Sequence, residues 1–110
     1  GTNDIRFNYT LDSIVAAYQA LKAQAEAGGA KAFIALTPLF VSPFPDYATL
    51  DSSVVQLNDR LVQAFPKENI IDFHSIVFQS DYIYDGLHIG TLGQQKRAHS
   101  ALRKLLRAGN

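Results

Sequence analysis

The sequence contains no cysteine, which excludes a disulfide framework, a thiolate zinc site and a cysteine nucleophile together. It has no run of about 18 apolar residues, so no membrane span is expected. Net charge of one sign is missing too. Ten basic residues balance ten acidic ones, and no overall field directs the chain to nucleic acid or to an anionic membrane. Glycine-rich loops of the dinucleotide or P-loop kind are absent, and no cofactor is expected. His74, His88 and His99 show no His-x-x-x-His spacing, so no metal site is expected either.

What is present is 110 residues, 47% of them apolar and 18% charged. That suits one domain able to bury roughly two-thirds of its unfolded surface. The charge is balanced only in total. Residues 1–90 hold all ten acids and five bases, whereas Lys96, Arg97, Arg103, Lys104 and Arg107 close the chain with no acid among them. A basic helix of this kind either binds phosphate or suits the helix dipole along a solvated face. With no aromatic interleaved for stacking, the solvated face is the preferred reading.

Hydrophobic spacing predicts a helix from Leu11 to Ala27, with Ile14, Tyr18, Leu21 and Ala25 on one stripe and Val15 beside it. Thr10 or Asp12 would cap it and Gly28-Gly29 would end it. Ala32 to Thr37 is a continuous apolar run closed by Pro38, the pattern of a strand covered on both faces. A long connection from Pro38 to Thr49 follows, and connections of that length often carry function. A helix is expected from Leu50 to Phe65, capped by Asp51 or Thr49, lined by Val54, Val55, Leu57, Leu61, Val62 and Phe65, and stopped by Pro66. Asn69 to Phe73 reads as a second buried strand, and residues 74–90 as a loop. The last helix runs from Gly90 or Thr91 to about Arg107, with Ala98, Leu102 and Leu105 as its inner face, flanked by Ala101 and Leu106. Alternating helices and strands predict an α/β fold with a parallel sheet. Two strands alone leave raw edges, so the pattern reads as the second half of a doubly wound domain.

Two short stretches carry chemistry, both expected at the rim where the strands end. In Asp85-Gly86-Leu87-His88 the carboxylate can hold the imidazole Nδ1–H across a glycine turn, leaving Nε2 to accept a proton. The same pair could simply cap the following helix. In Gly1-Thr2-Asn3-Asp4, read as a tight glycine-led turn, the Asn3 amide can donate to a developing oxyanion or serve the turn alone. His74 ends a strand at the same rim, where it either lines the cleft or is a satisfied structural histidine. Phe40, Phe44, Tyr47, Tyr82 and Tyr84 fall in the two long loops. They form a substrate pocket or plug the loops onto the body.

Gly1-Thr2-Asn3-Asp4 resembles the Gly-x-Asn-Asp block of the SGNH hydrolases, also called the GDSL esterase/lipase family. Asp85-Gly86-Leu87-His88 resembles that family's Asp-x-x-His block, and Gly93 to Ala98 the helix that follows it. The similarity runs over all 110 residues. It implies that residues 1–110 are the C-terminal part of a single domain, a flavodoxin-like three-layer α/β/α sandwich with a parallel sheet. It implies a serine-type hydrolase of carboxylic esters or thioesters acting on a small acyl ester. In that scheme His88 is the general base, Asp85 orients it, Asn3 is the oxyanion donor and Asp4 supports the loop.

The family's nucleophile sits in a Gly-Asp-Ser block ahead of the Gly-x-Asn-Asp block. None of Ser13, Ser42, Ser52, Ser53, Ser75, Ser80 and Ser100 follows a Gly-Asp pair. The chain alone is therefore expected to be almost inactive. Its expected partner is the N-terminal part of the same hydrolase, supplied as a separate chain, or a second copy through self-association. The readings from other classes are a non-catalytic α/β interaction module or an inactive truncated relic, and, more weakly, a polyanion-binding domain using the basic last helix.

Overall fold

The computed structural model describes residues 1–108. The first helix, α1 (Thr2–Arg6), occupies the stretch read above as a turn. Its geometry follows from hydrogen bonds of Ile5 N–H to Gly1 O and Phe7 N–H to Asn3 O, which close successive helical turns. Helix α2 (Leu11–Ala27) has the bounds its periodicity predicts, and Thr10 is its cap, accepting the Ser13 N–H through the side-chain hydroxyl.

Strand β1 (Ile34–Ala35) and strand β2 (Ile70–Ile71) pair in parallel, Ile34 beside Ile70 and Ala35 beside Ile71. Both are far shorter than the apolar runs that announce them. The shortening at Thr37 has a visible cause. Thr37 N–H donates to Asn58 Oδ1 at 2.8 Å and Thr37 O accepts from Asn58 Nδ2 at 2.9 Å, so a side-chain amide takes the place of a neighbouring strand.

Helix α3 (Tyr47–Ala64) begins one turn earlier than expected, with Asp46 at its N-cap position and no side-chain cap. Neither Asp51 nor Thr49 caps it. Asp51 instead accepts the Phe40 N–H at 2.7 Å. The reason lies in the long connection, whose Phe40 is buried in the core and stacks with Phe44 at 5.0 Å between ring centroids. Burying Phe40 leaves its amide in need of an acceptor, and Asp51 supplies one. These two aromatics plug the loop onto the body, whereas Tyr84 is 88% exposed.

The core gathers Ile5 of α1, Ile14 of α2, Val54, Leu57 and Leu61 of α3, and Ile34, Leu36, Phe40, Phe65 and Ile70 around the sheet. On α3, Val55 and Val62 face solvent while Asn58 is buried, a shift of the inner face from the one its apolar residues suggest. Helix α4 (Thr91–Ala108) meets β2 and the 3-10 turn Gln79–Asp81. Among the described residues it adds no side chain to the core. Leu102 and Leu105, expected inside, are 54% and 49% exposed, and Leu106 is 60% exposed. The Cα radius of gyration is 14.4 Å, against about 13 Å for a well-packed chain of this length. Helices and a small parallel sheet place the chain among mixed α/β structures. No described helix is long and apolar enough to cross a membrane.

Candidate active site

The Asp85–His88 turn is built on one glycine. Gly86 has φ +70°, and a β-carbon there would collide with the Val41 carbonyl oxygen. That close approach matters because Val41 N–H donates to Gly86 O at 2.9 Å, tying the turn to the buried Phe40 loop. With the backbone so held, Asp85 Oδ1 accepts the Leu87 and His88 amides, each at 2.9 Å. Asp85 Oδ2 lies 2.5 Å from His88 Nδ1.

The carboxylate is half-buried and the imidazole open, with 70% of the His88 side chain exposed. The hydrogen bond from His88, followed by those from the two amides, holds the Asp85 carboxyl down to about 2. Asp85 is therefore an anion throughout the neutral range. A proton on Nδ1 completes the bond to it and leaves Nε2 as the free lone pair. The turn can orient a base and stabilise the imidazolium that the base becomes.

The other stretch reaches the same place from α1. Gly1 is held by close packing: a β-carbon there would stand 2.5 Å from Thr37 Oγ1 and 3.0 Å from Leu57 Cδ2. Its nitrogen donates to the Tyr18 hydroxyl at 2.7 Å. Asn3 follows in the first turn of α1, exposed, with its side-chain amide free of hydrogen bonds among the described residues. His88 and Asn3 both line a cleft of about 240 Å³. Its other walls are Thr2, Pro38, Leu39, Tyr82, Leu87, Ile89, Gln94 and Arg97. Asp4 lies outside it, 3.7 Å from the Gly1 nitrogen. Burial and then the charge of Asp4 raise the Tyr18 hydroxyl above its usual range.

No serine lines this cleft among the described residues. His74 does not line it either. Its Nδ1 lies 3.1 Å from Thr37 O, and since a carbonyl only accepts, that nitrogen carries the proton and His74 is a structural histidine. His99 is exposed on α4. Among the described residues no three His, Asp, Glu or Cys side chains group as a metal site would require.

Of the expected loop aromatics Tyr82 lines the cleft, and Gln94 and Arg97 are cleft residues to which the sequence assigned no role there. Tyr82 donates to Leu39 O. Burial, reinforced by the negative charge of Asp51, pushes its hydroxyl up to about 12. Gln94 and Arg97 are three apart on α4, the spacing that puts two side chains on one helix face. The apolar pattern had placed Ala98, Leu102 and Leu105 on the inner face of α4 instead.

A second, larger groove of about 980 Å³ runs between β2 and α4, lined by Ile70, Ile71, Leu92, His99, Arg103 and Arg107 among others. It contains none of the residues of the Asp85–His88 turn. Compared with protein-family models, curated proteins and solved structures, the chain matches none.

Proposed function

We propose that this chain is the C-terminal part of a serine-type hydrolase of carboxylic esters or thioesters, of the SGNH kind, with a flavodoxin-like three-layer sandwich as the completed fold. The observation that carries the reading is the Asp85–His88 pair, 2.5 Å apart, with the imidazole open to the cleft that Asn3 also lines. A carboxylate on Nδ1 and a free Nε2 are what a base for a hydroxyl nucleophile needs. An unengaged amide beside it suits the oxyanion.

The nucleophile in this reading is a serine from an N-terminal segment of the same hydrolase. The serine attacks the ester carbonyl as His88 Nε2 takes its proton. Asn3 and backbone amides steady the oxyanion, and the imidazolium returns the proton to the departing alcohol or thiol. Water, activated by the same base, then releases the acyl group.

The test uses the complete hydrolase with 4-nitrophenyl esters and a fluorophosphonate probe. Probe labelling of a serine, and loss of turnover in His88→Ala with the fold retained, are the expected results. Full turnover in a folded His88→Ala protein would sink the assignment. Asn3→Ala is expected to lower kcat by about a hundredfold to a thousandfold.

The uncovered Leu102, Leu105 and Leu106 on α4 favour a second reading, a non-catalytic interaction module. An intact assembly that takes no fluorophosphonate label supports that alternative.

A further inference from the structure

Arg97 lines the cleft with no ion-pair partner among the described residues. It lies on α4, half-buried, lining the same space as His88 and Asn3. Its guanidinium carbon is 5.2 Å from the centroid of the Phe73 ring, a cation–π contact. Its Nε is buried and has no hydrogen-bond partner among the described residues.

Three carboxylates around the cleft, Asp85, Asp81 and Asp51, hold other partners. Asp85 accepts from His88 and two amides. Asp81 holds Lys96 Nζ at 2.7 Å and the Phe78 N–H at 2.8 Å. Asp51 accepts the Phe40 amide. Among the described residues Arg97 forms no ion pair. A buried donor left unsatisfied is costly, and a guanidinium more so. The fork of N–H groups matches a carboxylate or phosphate in two parallel bonds.

We propose that Arg97 is a specificity-determining residue that binds an anionic group of the substrate, so that the site takes esters bearing a carboxylate or phosphate. This rests on the hydrolase reading above and names its substrate class. The anion belongs either to the acyl part or to the alcohol part of the ester, and the two are separable by experiment.

In the complete hydrolase, 4-nitrophenyl butyrate is compared with 4-nitrophenyl hydrogen succinate, which is anionic in the acyl part. It is compared also with 3-carboxy-4-nitrophenyl butyrate, anionic in the alcohol part. Arg97→Gln is expected to lower kcat/KM for one anionic ester by about tenfold or more through KM, the scale of a lost charge-assisted hydrogen bond. The neutral ester should change by less than about threefold, and Arg97→Lys should recover part of the loss. The ester affected identifies which part carries the charge. Equal losses on neutral and anionic esters, or no loss on either, overturn the inference.

A second measurement is independent of turnover. Succinate titrated into the complete protein should shift the Arg97 Nε–H resonance and should, where the neutral ester is turned over, inhibit its hydrolysis competitively. Succinate binding with no ester hydrolysis overturns the hydrolase reading alone. Ester hydrolysis with no succinate effect at Arg97 overturns this inference alone. The titration needs no substituted protein, so it decides the matter even if Arg97→Gln fails to fold.

Discussion

At Gly86 a backbone of φ +70° and the nearness of the Val41 carbonyl oxygen act together. An L side chain is strained by the first and blocked by the second. Gly86→Ala is thus expected to dislodge the Asp85–His88 turn, with loss of the His88 Nδ1 proton signal in NMR and of catalysis. A variant with that signal intact would contradict the account. Asp85 provides a second test at this scale. Its carboxyl titrates lower in the folded turn than in an unfolded chain, so its contribution is complete above about pH 4, the ordinary carboxylate range. It is lost as pH falls through the folded value of about 2. The Asp85 carboxyl carbon should titrate with a midpoint near that lower value, and a midpoint in the ordinary range would dissociate it from His88. Asp85→Asn leaves the imidazole in the wrong tautomer and should cut kcat by about 10⁴ in the complete hydrolase while leaving KM largely unchanged.

Between elements, the side chains that join them are polar as well as apolar. Asn58 holds both the N–H and the carbonyl of Thr37, linking α3 to the end of β1. Asn58→Leu removes two buried bonds and strands the Thr37 N–H, at a cost of about 1–3 kcal/mol by urea unfolding. The two longest helices behave oppositely. Leu61 of α3 is fully buried, and Leu61→Ala should cost about 2–5 kcal/mol. Leu102 of α4 is half exposed, and Leu102→Ala in this chain should cost less than about 1 kcal/mol. The bounds of helix α2 were legible to the residue because its cap and glycine stop agree, although Leu21 of the expected stripe is 61% exposed. Helix α3 was displaced because Asp51 serves the Phe40 amide rather than a helix end, a contact that no local pattern contains.

Over the whole molecule, an acidic body and a basic last helix balance to zero, and α4 touches the body through β2 and the Gln79–Asp81 turn. Few buried contacts mean low local stability, so native-state hydrogen exchange should show α4 amides exchanging well before those of α3. Equal protection of the two helices would count against that picture. Periodicity, caps and breakers in the sequence by themselves determined the order of helices and strands from α2 onward, because those signals act within a few residues of chain. The Asp85–His88 pair was legible for the same reason, since a three-residue spacing across a glycine carries its own geometry. Only tertiary structure decided the rest. It brought Asn3 to His88 across the chain, buried the Phe40 loop, set Asn58 where a strand could have paired, and turned Arg97 rather than a leucine of α4 into the cleft. Each of these depends on which buried polar group finds a partner far away in sequence, and that is settled only when the elements pack.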